Sequence, residues 1–288
     1  MKQLILNADD FGLTPGVNAG IVRAHREGML TSATLMANGA AFEDAVERAK
    51  ENPRLGVGCH LVLVGGRAVS PVTEVRSLAD PDGRLPGSLG FFVARLSAGR
   101  ICIEEIEREL RAQIEKIRAA GLEPSHLDTH KHTHAHPRVM EAVGKVAQEC
   151  GISRVRKPVE NLRDSWRTSR GNGDRDAAQL AAAAAVRAVE PAFAAIGRRF
   201  ALHWPDNFLG LAMTGRLGPD ALRRMIEDLP EGSTEIMLHP GLCDAELKNC
   251  VTRLRKQRET EMAALMDAGV KGAVAEQGIR LISYRELN

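Results

Sequence analysis

Short apolar runs alternate with longer amphipathic segments along this chain. The first run, Leu4-Ile5-Leu6-Asn7-Ala8, predicts a buried strand. Residues 17–27, just after Pro15-Gly16, predict a helix. A strand over 31–36, a helix over about 41–51 and a strand over 56–63 come next. Between Glu104 and Ala120 the apolar positions Ile106, Leu110, Ile114 and Ile117 keep a helical period, which Gly121 closes. Residues 125–128 read as a strand end, Pro137 opens a helix ending near Cys150-Gly151, and 155–158 read as a short strand. The Ala-rich region around Leu180 and the segments 219–228 and 245–268 predict helices. Segments 235–239 and 280–284 predict the last strands.

Strand–helix alternation over the whole length implies an α/β fold with a parallel sheet. Seven or eight such units in 288 residues favour a TIM-like (β/α) barrel, incomplete or distorted, with about seven strands. No repeat or linker divides the chain, so residues 1–288 read as a single domain. Residues 65–90 are rich in Gly, Pro, Ser and Asp and predict a long loop of the kind that carries function. The segment 160–176 is polar and irregular. No G-x-G-x-x-G follows the first strand, and neither G-x-S-x-G nor a Walker A sequence occurs.

Composition narrows the class. With 44% hydrophobic and 26% charged residues, the chain is neither disordered nor fibrous. The 39 basic and 37 acidic residues leave a net charge of +2, and aromatics are only 3%, so nucleic acid is not the expected partner. Cys59, Cys102, Cys150, Cys243 and Cys250 are odd in number and form no C-x-x-C pair, which fits reduced thiols in the cytoplasm. The N-terminal apolar run is too short for a signal peptide, and no uncharged run nears the length of a membrane span.

In barrels the chemistry sits at the C-terminal ends of the strands. Asp9 and Asp10 close the first strand; adjacent strand residues face opposite ways, so only a chain turn brings both to one cleft. Their alternative role is to cap the following helix. His60 lies in an apolar run, as a core residue or a ligand. The tract from His126 to His136 holds five of the nine histidines. It is either a nonspecific metal-binding tract or part of a built site, and Leu127, Asp128 and Pro137 around it favour the latter. His239 precedes Pro240-Gly241, and Arg156 ends a predicted strand. A barrel would bring these strand ends to one rim. One Asp and two His would hold a metal and leave a position open for water. A second carboxylate is then a natural general base, and an opposed His a natural acid, for hydrolysis of an amide or ester.

Six segments carry a family resemblance: NADDFG, TSATLMANG (31–39), GVGCHLVL, HLDTHKHTHAHP, VRKP and LHPG, in this order. Over nearly the whole chain they resemble the YdjC-type carbohydrate deacetylases, which include chitooligosaccharide deacetylase and the hopanoid-biosynthesis deacetylase HpnK. The resemblance implies an incomplete barrel, one divalent metal ion and removal of an acetyl group from an N-acetylated amino sugar. Carried over residue by residue, it makes Asp10, His60 and His130 the metal ligands and Asp9 the general base. His239 becomes the general acid, and Arg156 orients or tunes Asp9. Asp128 would orient a ligand His. His132, His134 and His136 would line the cleft or lie at the surface. Ligand chemistry suits zinc, cobalt or nickel, whereas some relatives are described with magnesium. A homodimer is compatible with the family. Residues 65–90 and 160–176 are expected to choose between an oligosaccharide and a lipid-linked amino sugar.

Two other functions fit a similar site. A metal-dependent phosphoesterase would use two metals bridged by carboxylates, and the acidic residues here look too few for that. A non-catalytic sugar- or metal-binding protein would stack sugars on aromatics, for which only Trp166, Trp204, Phe91 and Phe92 stand out.

Overall fold

A computed structural model describes residues 1–161 and 177–287. The first strand, β1 (Lys2–Phe11), leads through α1 (Pro15–Arg26) to β2 (Ser32–Leu35), and α2 (Phe42–Glu51) leads to β3 (Gly56–Leu61). The helices α3 (Leu89–Ser97) and α4 (Ile103–Ala119) precede β4 (Leu127–Thr129) and α5 (Pro137–Glu149). Then come α6 (Ala177–Ala188), α7 (Glu190–Arg199), β5 (Asn207–Leu209), α8 (Pro219–Glu227) and β6 (Gly232–Leu238). The chain closes with α9 (Ala245–Asn249), α10 (Lys256–Met266), α11 (Ala268–Glu276) and β7 (Arg280–Leu281).

All strand pairs are parallel, in the order β4-β3-β2-β1-β6-β5, and β7 pairs with β1 at Gln3 and Leu4. Residues 154–160 link the two ends of this sheet: Val155 bridges Leu127 of β4, and Glu160 bridges Phe208 of β5. The sheet is thus curled into a partial (β/α) barrel.

Strand periodicity divides the side chains cleanly. Leu4, Leu6 and Ala8 of β1, Ala33 and Leu35 of β2, Val57, Cys59 and Leu61 of β3, and Ile236 and Leu238 of β6 all join one large apolar core with the helices. Their neighbours point into the curl, where Ile5, Ile282, Tyr284 and Leu287 form a small separate apolar cluster. Above it the interior is polar: Asn7, Asp9, Ser32, Thr34, His60, His126, Asp128 and Glu235 are all buried. Gly58 is required on that side, because a Cβ there would lie 2.5 Å from the His126 ring.

Several expected elements differ. Residues 155–158 form no regular strand: of them only Val155 makes an isolated bridge, to Leu127. The last strand stops at Leu281, and Tyr284 turns inward to stack on His126 with ring centroids 3.7 Å apart. The segment 245–268 holds two helices, α9 and α10, and α11 starts at its end behind Asp267, whose side chain accepts from Val270 N–H. The long loop ends earlier than expected: Ser88 caps α3, so Phe91 and Phe92 are helical. The loop is also pinned to α4. Glu105 accepts from Ser77 and Leu78, Glu109 from Val69 and Ser70, and Gln113 pairs with both the N–H and the C=O of Val62. Among the described residues no single helix is long and apolar enough to cross a membrane. All five cysteines are free.

Candidate active site

The C-terminal end of β1 breaks its own alternation. Pairing with β2 shifts register between Ala8 and Phe11, and Asp10 takes φ 67°, in the left-handed region. A bulge of this kind re-aims a side chain, which is how two adjacent carboxylates come to face one cleft. His60 arrives from β3 and His130 from the turn after β4. Lys131 (φ 56°) and His132 (φ 51°) bend the chain sharply there, so His130 stays at the rim while the rest of the tract turns away.

Asp10 Oδ1, His60 Nε2 and His130 Nδ1 form a triangle with edges of 3.2, 3.3 and 3.5 Å. Three ligands of a tetrahedral zinc ion, at 2.0–2.1 Å from it, stand about 3.3 Å apart. Asp10 Oδ1 is buried and takes no hydrogen bond among the described residues. The donor set therefore fits a divalent ion. The side chain of His130 is 25% exposed, so the triangle opens to solvent on that side. His60 donates from Nδ1 to Asp128 Oδ1 at 2.7 Å, the arrangement that commonly fixes a metal-binding imidazole. Burial disfavours the His60 imidazolium, but Asp128 and Asp10 outweigh it and raise its pKa to about 10. A bound cation would have to displace that proton.

Beside the triangle lies a fully buried ion cluster. Arg156 Nη1 and Nη2 contact both oxygens of Asp9 at 2.8 and 2.7 Å. The same guanidinium reaches Asp128 Oδ2 at 2.7 Å and Glu235 Oε1 at 2.7 and 2.9 Å. Tyr284 O–H donates to Glu235 Oε2 at 2.5 Å. Burial would drive Asp128 towards protonation, but Arg156 and His60 prevail and hold its pKa below the usual carboxylate range. Burial keeps Glu235 above that range despite Arg156.

His239 Nε2 stands 4.0 Å from Asp9 Oδ2. Its backbone N–H donates to Glu261 at 2.6 Å. Burial lowers its pKa to about 4, so near pH 7 it is neutral. Burial likewise pushes Glu261 up to about 7, against the backbone N–H groups that favour its charge.

The structure thus brings Asp9, Asp10, His60, His130, Arg156 and His239 together. None of the other histidines of the tract joins the triangle, although His132 stays within electrostatic reach of Arg156, Asp128 and His60. His126 lies deeper, against Tyr284. His134 is buried, neither lining a cleft nor at the surface, and bonds Thr129 Oγ1 and the Arg156 carbonyl. His136 caps α5. His132 is edge-on to Phe208. The supposed shortage of carboxylates was mistaken: Asp9, Asp10, Asp128 and Glu235 all converge here. Three of them, Asp9, Asp128 and Glu235, are engaged by Arg156. Phe92 is buried, Trp204 is half-buried against Phe193 and Phe91 is exposed, while Trp166 and most of 160–176 lie outside the described residues.

Four site residues escape sequence reasoning. Glu235 and Thr34 do carry a signal, as polar residues at alternate positions of apolar strands. Arg258 and Glu261 do not, because charged residues on a helix ordinarily face solvent. Yet Arg258 Nη2 donates to Asp10 Oδ2 at 2.5 Å, and both residues are 1% exposed.

A curled parallel sheet with buried carboxylates and imidazoles at its C-terminal rim places the protein among the α/β-barrel enzymes. More particularly, the chain belongs to the YdjC-like protein family, whose model matches residues 3–276. It is 39% identical to a carbohydrate deacetylase of Brevibacillus brevis over 99% of both chains. It is 36% identical to one of Geobacillus stearothermophilus, covering 99% of this chain and 98% of that one. Its fold matches the "putative cellobiose-phosphate cleavage protein" of Enterococcus faecalis V583 with a TM-score of 0.77, at 26% identity over 98% of this chain and 97% of that one.

Proposed function

We propose that this chain is a metal-dependent carbohydrate deacetylase that removes the acetyl group from an N-acetylated amino sugar, releasing acetate and a free amine. The substrate class is an N-acetylglucosamine-containing oligosaccharide or glycolipid. The observation that carries this reading is the Asp10–His60–His130 triangle set against the Asp9–Arg156 pair, in a family whose relatives are named carbohydrate deacetylases.

Asp10, His60 and His130 would hold the ion, with zinc, cobalt or nickel better suited to these ligands than magnesium. When bound, it would polarise the acetyl carbonyl and acidify water. The chain's own residues do the rest. Asp9, fixed on both oxygens by Arg156, removes a proton from the attacking water. His239 stands beside Asp9 and is neutral, so its Nε2 can take up a proton and deliver it to the amine nitrogen as the C–N bond breaks.

The test is acetate release from N-acetylglucosamine oligomers by protein stripped of metal and then resupplied with zinc, cobalt or magnesium. Release is expected only after resupply. Release by the stripped protein at the full rate, or none with any ion on either a soluble oligomer or a lipid-linked amino sugar, would contradict the reading.

A further inference from the structure

Arg258 belongs to none of the segments that define the family resemblance, yet it touches the centre of the site. It stands in the first turn of α10. The helix start is tied to the corner after β6, where Gly241 N–H donates to the Arg258 carbonyl at 3.2 Å. Its Nε donates to the Leu254 carbonyl at 3.2 Å, which fixes the plane of the guanidinium. Its Nη2 donates to Asp10 Oδ2 at 2.5 Å. Its Nη1 is buried and takes no hydrogen bond among the described residues.

Asp10 needs such a partner. Its backbone is in the left-handed region at a bulge, so the regular sheet does not dictate where its carboxylate points. Oδ1 makes no hydrogen bond among the described residues and faces only the two imidazoles, so the hold on Oδ2 decides how the carboxylate is rotated. A charge-assisted bond is short and directional enough to do this.

We propose that Arg258 is a positioning residue for Asp10: it holds Oδ2 so that Oδ1 remains aimed at the point shared with His60 Nε2 and His130 Nδ1. This inference rests on the reading of those three residues as the holders of a divalent ion. Arg258 engages the carboxylate through one nitrogen only, without the two-point fork at which lysine cannot replace arginine. A lysine ammonium can therefore supply the same single charged contact, whereas a neutral amide cannot.

The experiment titrates zinc into the metal-stripped full-length chain and into its Arg258→Gln and Arg258→Lys variants, each shown by circular dichroism to be folded. Losing a partner that orients a metal ligand ordinarily costs about 10–100-fold in affinity. That loss is expected for Arg258→Gln, with Arg258→Lys remaining close to the parent. A merely structural arginine would lower the unfolding temperature and leave zinc affinity in the folded variants alone. Unchanged affinity in Arg258→Gln, or equal losses in both variants, would overturn the proposal. If Arg258→Gln does not fold, Arg258→Met is titrated in its place: a loss of about tenfold or more supports the proposal, and affinity near the parent's overturns it. A parent chain that binds no zinc removes the metal reading and this inference with it. Zinc binding without acetate release from any sugar tested would count against the deacetylase reading alone.

Discussion

Replacing Asp9 by Asn is expected to lower turnover by about 10²–10⁴-fold, the usual contribution of a positioned general base, while metal binding and folding persist. Asn keeps the shape of the side chain but cannot accept the proton of water. The fold should survive, because Arg156 retains Asp128 and Glu235 as partners when Asp9 loses its charge. Metal binding should survive because Asp9 lies outside the Asp10–His60–His130 triangle. The check is kcat together with metal content for Asp9→Asn and Asp10→Asn. If Asp9→Asn loses the metal and Asp10→Asn keeps it, the two carboxylates have exchanged roles.

The second large effect concerns stability. Arg156 is completely buried and is the shared partner of Asp9, Asp128 and Glu235. Arg156→Met fills much of the same volume but leaves three carboxylates buried without their cation. Removing one partner of a buried ion pair costs about 3–5 kcal/mol. A loss of at least that size is expected in urea unfolding, out of a total stability of about 5–15 kcal/mol for a typical domain. Arg156→Lys should fall between the two, since one ammonium cannot reach three carboxylates in the guanidinium's geometry. A stability change below about 1 kcal/mol for Arg156→Met would mean that the carboxylates are already protonated or solvated, against the cluster's account.

The fold was legible where strands end in chemistry. NADDFG, the His60 run, HLDTH and LHPG each placed their polar residue at the end of a correctly located strand. The alternation of inward and outward residues was not legible, because helices cover one face and the curl covers the other. Leu4-Ile5-Leu6 looks uniformly apolar, yet Ile5 faces the small inner cluster and its neighbours the outer core. Strands with few regular pairs were missed or misjudged for the same reason: Asn207–Leu209 has three residues, and 155–158 joins the sheet only through the Val155 bridge.

The histidine tract shows the limit for the site. Five imidazoles in eleven residues suggest a common role, but left-handed backbone at Lys131 and His132 sends only His130 to the rim. Burial of Arg258 and Glu261 depends on how α10 packs among its neighbouring helices, which brings Arg258 to Asp10 and Glu261 to the His239 N–H. Local sequence carries no trace of that packing, because a charged turn of helix ordinarily faces solvent.

One divalent ion is expected among Asp10, His60 and His130. Anomalous diffraction from a crystal soaked in zinc tests it most directly. A single peak is expected about 2.0–2.2 Å from Asp10 Oδ1, His60 Nε2 and His130 Nδ1, with Asp9 still held by Arg156. The neighbouring group of Asp9, His60 and Asp128 offers another set of donor atoms within reach of one another. A peak there, or no peak at either place, would contradict the account.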